Sequence, residues 1–312
     1  MTNYNPSLIL DHTLNQFYSQ QDDVLTFIQF CQGLNLLRER TSHNDWVRFI
    51  KDMYLDHPLR DFIIQEPFTQ HALFKSKDNG DSVLMDFIYS GDGLVQAPFT
   101  GYETARGKNL FNSLMSLSSC IGIRNARNMI ERKIDYVLCH KKNSHFLSIP
   151  SGNLREIPNK KFDSQLFLSS IHALDWDEDA LFRINKEFGL RGIKTHHITF
   201  MNFTKILKAF QPFNFIWSNG LLNNVKDTTA EELIQNLFNY LKPGGAFILT
   251  GFHPTHLLCG YLEVCCDWWP VYRDESQILR LVEKLPKEKI DNVKTYMDPT
   301  GTIVFLEIVK AS

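Results

Sequence analysis

Most features that would announce a partner are missing from this chain. There is no surplus of charge: 33 Lys and Arg stand against 35 Asp and Glu, a formal charge of -2, so neither nucleic acid nor an anionic membrane is drawn to the molecule as a whole. No apolar run comes near the roughly 18 residues that a membrane-spanning helix requires. Internal repeats and low-complexity tracts are absent as well. The six cysteines, at positions 31, 120, 139, 259, 265 and 266, form no CxxC pair and no Cys/His spacing that would close a zinc site, which argues against a metal and against a disulfide framework. The first residues, MTNYNPSLILDHTLNQ, carry an early acid and no basic start, so they do not read as a secretory leader. A cytoplasmic, reducing compartment is expected, and any partner must be recognised by local groups. The three-glycine GxGxxG fingerprint that brings a pyrophosphate against the backbone is also missing, which removes most of the case for NAD.

What is present describes a folded globular protein: 43% hydrophobic and 22% charged residues in 312, a length that allows one large domain or two ordinary ones. Apolar residues at spacings of three and four predict helices over Val24–Leu37, Asp45–Tyr54, Leu59–Ile64 and Ser82–Tyr89, with a further helix from about Cys120 to Tyr136 that carries Arg124, Arg127 and Arg132. The stretch Ser90–Gly107, with four glycines and Pro98, reads as a loop. From residue 136 the texture changes to short apolar strands alternating with helices, the pattern of a parallel sheet. Strands are expected at His145–Ile149, Ser170–Leu174, Thr195–Phe200, Phe213–Trp217, Ala246–Thr250, Val293–Tyr296 and Thr302–Val309. The expected division is a helical domain over 1–135 and an α/β domain over 136–312.

Open α/β sheets bind ligands at the carboxyl ends of their strands, so the residues there matter most. In HFLSIPSGNLREI the first strand runs into a turn at Pro150, Ser151 and Gly152 and then a helix start, where backbone N–H groups could meet a ligand. IHALDWDEDAL ends the second strand at Asp175, a carboxylate placed to accept both ribose hydroxyls of an adenosine-containing ligand. Asp177 and Asp179 read instead as a helix N-terminus that favours acids. The third strand ends at Asn202 and Phe203, an amide and an aromatic face that could hold an adenine; core packing competes for Phe203. The fourth ends at Trp217 and continues as Ser218, Asn219 and Gly220, a polar cluster at the sheet edge. Lys242-Pro243-Gly244-Gly245 reads as a sharp turn from a helix over Thr229–Leu241 into the next strand.

The succession SGNLRE, ALDWDEDAL, MNF, FIWSNG, LKPGGAFIL, KTYMDPTG and TIVFLEIV resembles that of class I S-adenosylmethionine-dependent methyltransferases over about residues 136–312. KDNGDSVLMDFIY, IGIRNARNMIERKI and DWWPVYRDESQILRL are further similar to the bacterial group that makes 3-hydroxypalmitic acid methyl ester. The resemblance implies a seven-stranded Rossmann-like methyltransferase sheet with an N-terminal helical cap, and S-adenosylmethionine as cofactor. It implies that Pro150, Ser151 and Gly152 face the methionine part, Asp175 the ribose, Trp176 the ribose or the adenine, Asn202 and Phe203 the adenine, and Ser218, Asn219 and Gly220 the sulfonium. The cap would act as a lid, so that Tyr89 and Arg124 reach cofactor or acceptor.

Methyl transfer from a sulfonium is an in-line displacement, for which alignment and exclusion of water matter most. A carboxylate acceptor, already ionised at neutral pH, needs no base. A hydroxyl or amine would need one, and His253, Asp267 and Tyr272 are the candidates, with Arg273 to orient an acid. Trp268, Trp269 and Tyr272 could wall an acyl pocket, with core packing as the competing reading. His253 and His256 lack a third ligand nearby in sequence, so a metal is not expected. The function expected is methyl ester formation on a 3-hydroxy fatty acid or similar small-molecule acid, with no nucleic acid and no membrane span involved. N- or O-methylation of another metabolite, and S-adenosylmethionine binding without catalysis, stand beside it.

Overall fold

The computed structural model describes residues 7–19, 22–76, 81–157, 170–199 and 203–312. The chain forms two compact units, Met1–Ile121 with Thr255–Trp269, and Gly122–Pro254 with Pro270–Ser312. The division therefore falls inside the helix Ser118–His140 and not at 135/136, and the first unit includes a segment from late in the sequence. Most of that helix belongs to the second unit because its side chains bond there. Asn125 donates to Asp298 Oδ2 at 3.1 Å and Lys133 to Glu307 Oε1 at 2.8 Å. Gly122 lies so close to Thr302 that a Cβ would meet its Oγ1 at 2.0 Å.

The first unit is helical, as expected. Asp22, Ser42, Glu66, Asp81 and Thr104 each accept backbone N–H groups at the start of a helix, satisfying donors that have no partner within it. Phe17, Phe27, Phe30, Tyr54 and Phe68 are fully buried in this unit. Within the Ser90–Gly107 stretch, Phe99 packs edge-on against Phe111 with ring centroids 5.1 Å apart. The late segment joins this unit through close backbone packing and polar contacts. Gly260, in the helix Cys259–Cys265, presses on the Leu34 backbone, and its N–H donates to Asn35 Oδ1 at 3.0 Å. Buried Glu263 accepts from Arg38 Nε at 2.9 Å and from Trp46 Nε1 at 2.8 Å.

The second unit holds one seven-stranded sheet: β1 (His145–Ser148), β2 (Ser170–Asp175), β3 (Lys194–His197), β4 (Phe213–Ser218), β5 (Leu241–Phe252), β6 (Ile290–Met297) and β7 (Ile303–Lys310). Its order is β3-β2-β1-β4-β5-β7-β6, parallel from β3 through β5, with β7 antiparallel to both its neighbours. The order reverses direction at β1, which opens a crevice beyond the carboxyl ends of β1 and β4. Leu147, Ile216, Phe247 and Leu306 share the main core of this unit. On the alternate positions Phe146, Phe215 and Trp217 pack on one another.

All seven expected strands are present, with ends displaced by at most five residues. The Lys-Pro-Gly-Gly segment differs from expectation. The preceding helix, Asp227–Asn239, ends before it, and the segment lies within β5 as a bulge, since Phe213 and Phe215 of β4 pair with Leu241 and Ala246. Gly244 has φ +64°, and a Cβ on Gly245 would meet the Phe213 carbonyl oxygen at 2.9 Å.

Candidate functional site

β1 leaves the sheet through a cis Ile149-Pro150 peptide into a turn with Gly152 at φ +49° and Leu154 at φ +55°. The described residues 151–157 form turns, so the helix start expected after Gly152 is not found among them. The backbone donors have protein partners instead. Ser151 N–H donates to the Leu174 carbonyl at 2.9 Å, and Gly152 N–H donates to Asp175 Oδ2 at 2.7 Å.

Asp175 ends β2 and is 3% exposed. Its second oxygen accepts from Asp177 N–H at 2.9 Å. Burial pushes its pKa up to about 6, against the opposing pull of those N–H groups. Each carboxylate oxygen keeps a lone pair beyond the bond it already accepts, so the group can still receive hydroxyl donors. Trp176 packs partly buried on the core. Asp177 caps the helix Glu178–Phe188 through Asp179 N–H at 2.9 Å, and Asp179 lies in its first turn. His196 and His197 take opposite directions from β3: His196 Nε2 lies 3.0 Å from His172 Nδ1, and His197 Nε2 lies 3.2 Å from the Trp176 carbonyl. Asn202 lies outside the described residues. Phe203 is buried in the core at the start of the helix Phe203–Leu207, so core packing accounts for it and the adenine role is not carried forward.

At the end of β4 the sequence Ser218-Asn219-Gly220 turns sharply, with Gly220 at φ +93°. Thr250 of β5 fixes the turn: its hydroxyl donates to Asn219 Oδ1 at 2.9 Å and accepts from Gly220 N–H at 2.9 Å. Asn219 Nδ2 in turn donates to Glu156 Oε1 at 3.3 Å. Burial raises the Glu156 carboxyl above the usual range, while Asn219, the Arg127 guanidinium and the Trp217 indole pull it back. Three hydroxyls collect at these same strand ends. The Oγ atoms of Ser148, Ser151 and Ser218 are buried and have no hydrogen-bond partner within the protein. Buried polar atoms are nearly always satisfied, and these three lie at the topological switch point, where open α/β sheets take their ligands. Ser148, Glu156 and Thr250 escaped the sequence reading. Glu156 stood inside the quoted HFLSIPSGNLREI segment, and its position just beyond a strand-end turn was the available signal.

The remaining expected residues are dispersed. Arg273 is 2% exposed, and its guanidinium is committed internally. It donates to Asp227 Oδ1 through Nε at 2.9 Å, to the Leu222 carbonyl, and to the Val225 carbonyl at 2.7 Å. It is a clamp on the loop after β4, and the expectation that it orients a substrate acid is withdrawn. Arg124 is 8% exposed and Arg127 is buried too, whereas Arg132 is exposed, so the three do not share a solvated helix face. His253 follows β5, with Nε2 3.6 Å from Glu275 Oε2, and Tyr272 stacks on Phe252. Tyr89 and Trp268 are buried residues of the first unit. Trp269, half exposed in that unit, donates to Asp267 Oδ1 at 3.0 Å. Among the described residues no group of three or more His, Cys, Asp or Glu is arranged to hold a metal ion.

No protein-family model matches the chain, and no curated protein does. Among solved structures, a "possible exported protein" from Bordetella parapertussis aligns over 93% of this chain and 96% of its own at 15% identity, with a TM-score of 0.60. The S-adenosylmethionine-dependent methyltransferase SibL aligns over 96% of this chain and 77% of its own at 11% identity and a TM-score of 0.48. Magnesium protoporphyrin IX methyltransferase from Synechocystis PCC 6803 aligns over 62% of this chain and 86% of its own at 11% identity and a TM-score of 0.44. The fold is a seven-stranded, Rossmann-like α/β sheet. At such identities the likeness is one of fold alone.

Proposed function

We propose that this chain transfers a methyl group from S-adenosylmethionine to a small-molecule acceptor, and that the acceptor atom belongs to a carboxylate, such as that of a 3-hydroxy fatty acid. The observation that carries this reading is the set of three unsatisfied serine hydroxyls at the ends of β1 and β4, beside a buried acid at the end of β2. Those groups suit the polar parts of the cofactor. Asp175 would accept the ribose hydroxyls, and Ser148, Ser151 and Ser218 would bond the amino-acid end. The turns at Gly152 and Gly220 would let backbone approach closely. When bound, S-adenosylmethionine supplies an electrophilic methyl group on a sulfonium.

For an ionised carboxylate the protein has only to bind, orient and exclude water. The balanced overall charge fits a small organic acceptor, and Arg124 is a buried cation of the second unit suited to pair with an acid. For a hydroxyl or amine acceptor, His253 and Tyr272 are the residues we propose to take the proton.

The test is incubation of the purified chain with radiolabelled S-adenosylmethionine and a panel of long-chain 3-hydroxy acids and amines. Label in methyl esters is expected, and label in amines alone would contradict the carboxylate reading. Asp175→Ala is expected to weaken S-adenosylhomocysteine binding by about tenfold or more, the worth of lost hydrogen bonds to a charged group, while unfolding stays cooperative. Unchanged affinity would place the ribose elsewhere.

A further inference from the structure

β3 is a four-residue strand at the edge of the sheet, where β2 is its neighbour. So short a strand has few backbone bonds to hold it, and two imidazoles add a side-chain bond across the pair. The register sets His172 beside Lys194 and Leu174 beside His196, and alternate residues share a face, so Ser170, His172, Lys194 and His196 lie on one side. There His172 Nδ1 is 3.0 Å from His196 Nε2, and His172 Nε2 is 2.8 Å from Ser170 Oγ. The ring centroids are 5.1 Å apart and the planes differ by 22°, so the imidazoles meet end to end, nitrogen to nitrogen. Phe210 covers both, with centroids 4.4 Å from His172 and 4.9 Å from His196.

The four ring nitrogens limit the protons that this contact tolerates. A neutral pair carries two, one of them between the rings, and the Ser170 hydroxyl donates or accepts to match. A third is housed with that bond intact: His196 Nε2–H donates to His172 Nδ1, and His172 Nε2–H donates to Ser170 Oγ. A fourth fills the last acceptor, His172 Nδ1, and sets the N–H groups of two cations against each other. The surroundings oppose charge as well. Lys194 of β3 acts on both imidazoles and His145 of β1 on His172, while Phe210 and Phe213 beside them are apolar. Burial first, then the neighbouring cations, holds His172 down to about 4 and His196 below its ordinary value.

We propose that the His172–His196 pair is an acid-sensitive latch on β3, closed while the two imidazoles share a proton and released when both become cations. β3 in turn holds the end of β2, since Ile198 N–H donates to the Asp175 carbonyl at 2.9 Å and His197 Nε2 lies 3.2 Å from the Trp176 carbonyl. Release therefore frees the strand end that carries Asp175 from its outer neighbour. An open pair takes up protons from the ordinary histidine value of 6.5 downward, whereas the closed pair resists its last proton to about 4. The latch is thus at full strength above pH 6.5 and weakens as pH falls.

Hydrogen exchange followed by NMR tests this, with protection taken relative to an unstructured chain at the same pH. Protection of the β3 amides and of Ile198 N–H should fall about tenfold per pH unit from 6.5 to 5, the effect of one extra proton bound on opening, while Phe215, Ile216 and Trp217 of central β4 stay level. His196→Gln keeps a group that donates or accepts near the place of Nε2 and takes no charge. It should leave β3 protected at pH 7 and lose most of the fall. Protection that is flat with pH in the wild-type chain, or that falls as steeply in the variant, would overturn the proposal. An imidazole NMR titration of the wild-type chain decides without any variant. Two well-separated steps for the pair, the lower near pH 4, are expected, and two independent titrations near 6.5 would overturn the latch.

Discussion

Asp175 and Glu66 are both buried carboxyls held by backbone N–H groups, and burial lifts both pKa values, to about 6 and about 7. Glu66 accepts from Phe68 N–H at 2.9 Å, from Thr69 N–H at 2.7 Å and from the Thr69 hydroxyl at 2.8 Å, and that hydroxyl lies 2.6 Å from Tyr261 OH. A folded pKa above the unfolded one means that the native state holds the proton more tightly. The stability contribution is therefore complete below the unfolded value and is lost as pH rises through the folded value. Between pH 5.5 and 8 the wild-type chain should lose about 2 kcal/mol through Glu66, and Glu66→Gln should abolish that loss. Urea denaturation at the two pH values measures it, and an unaltered pH dependence would exclude Glu66 as the source. Asp175 obeys the same sign for stability and the opposite one for ligand binding, since the ionised form is the better acceptor of ribose hydroxyls. Affinity for S-adenosylhomocysteine should fall about tenfold from pH 7 to pH 5, and Asp175→Asn should flatten that profile.

At the scale of elements, what could be read from sequence was what is encoded locally. Each strand is a short apolar run bounded by turn residues, so all seven were legible, and the acid ending β2 and the polar turn ending β4 came with them. Groups whose partners lie far away in sequence could not be read. The guanidinium of Arg273 is decided by carbonyls at Leu222 and Val225, and the place of Thr255–Trp269 is decided by Gly260 against Leu34 and Glu263 against Arg38 and Trp46. Gly260→Ala tests the second of these. A helical Gly→Ala change ordinarily stabilises by up to about 1 kcal/mol, but here the added Cβ would lie 2.8 Å from the Leu34 carbonyl carbon. A loss of about 1–3 kcal/mol in urea denaturation is expected from this overpacking. Gly189→Ala, where a Cβ would meet nothing within 4 Å, should change little. Equal effects at the two positions would contradict the close packing.

For the molecule as a whole, the interleaved order of the two units has a consequence for dissection. A fragment cut at the expected boundary, residues 136–312, would lose Asn125 and Lys133 from the second unit and would carry residues 255–269 away from their first-unit partners. It should fail to unfold cooperatively, and a sharp, reversible thermal transition by circular dichroism would contradict that. The balanced charge of -2 offers no strong surface field, so the proposed recognition would rest on a few buried groups, the three unsatisfied serines among them. The central claim is that those groups form a cofactor site. Its most direct measurement is a calorimetric titration of S-adenosylhomocysteine into the intact chain at neutral pH. One-to-one binding that Asp175→Ala weakens is the expected result. An absence of binding heat, or binding indifferent to Asp175, would contradict the claim.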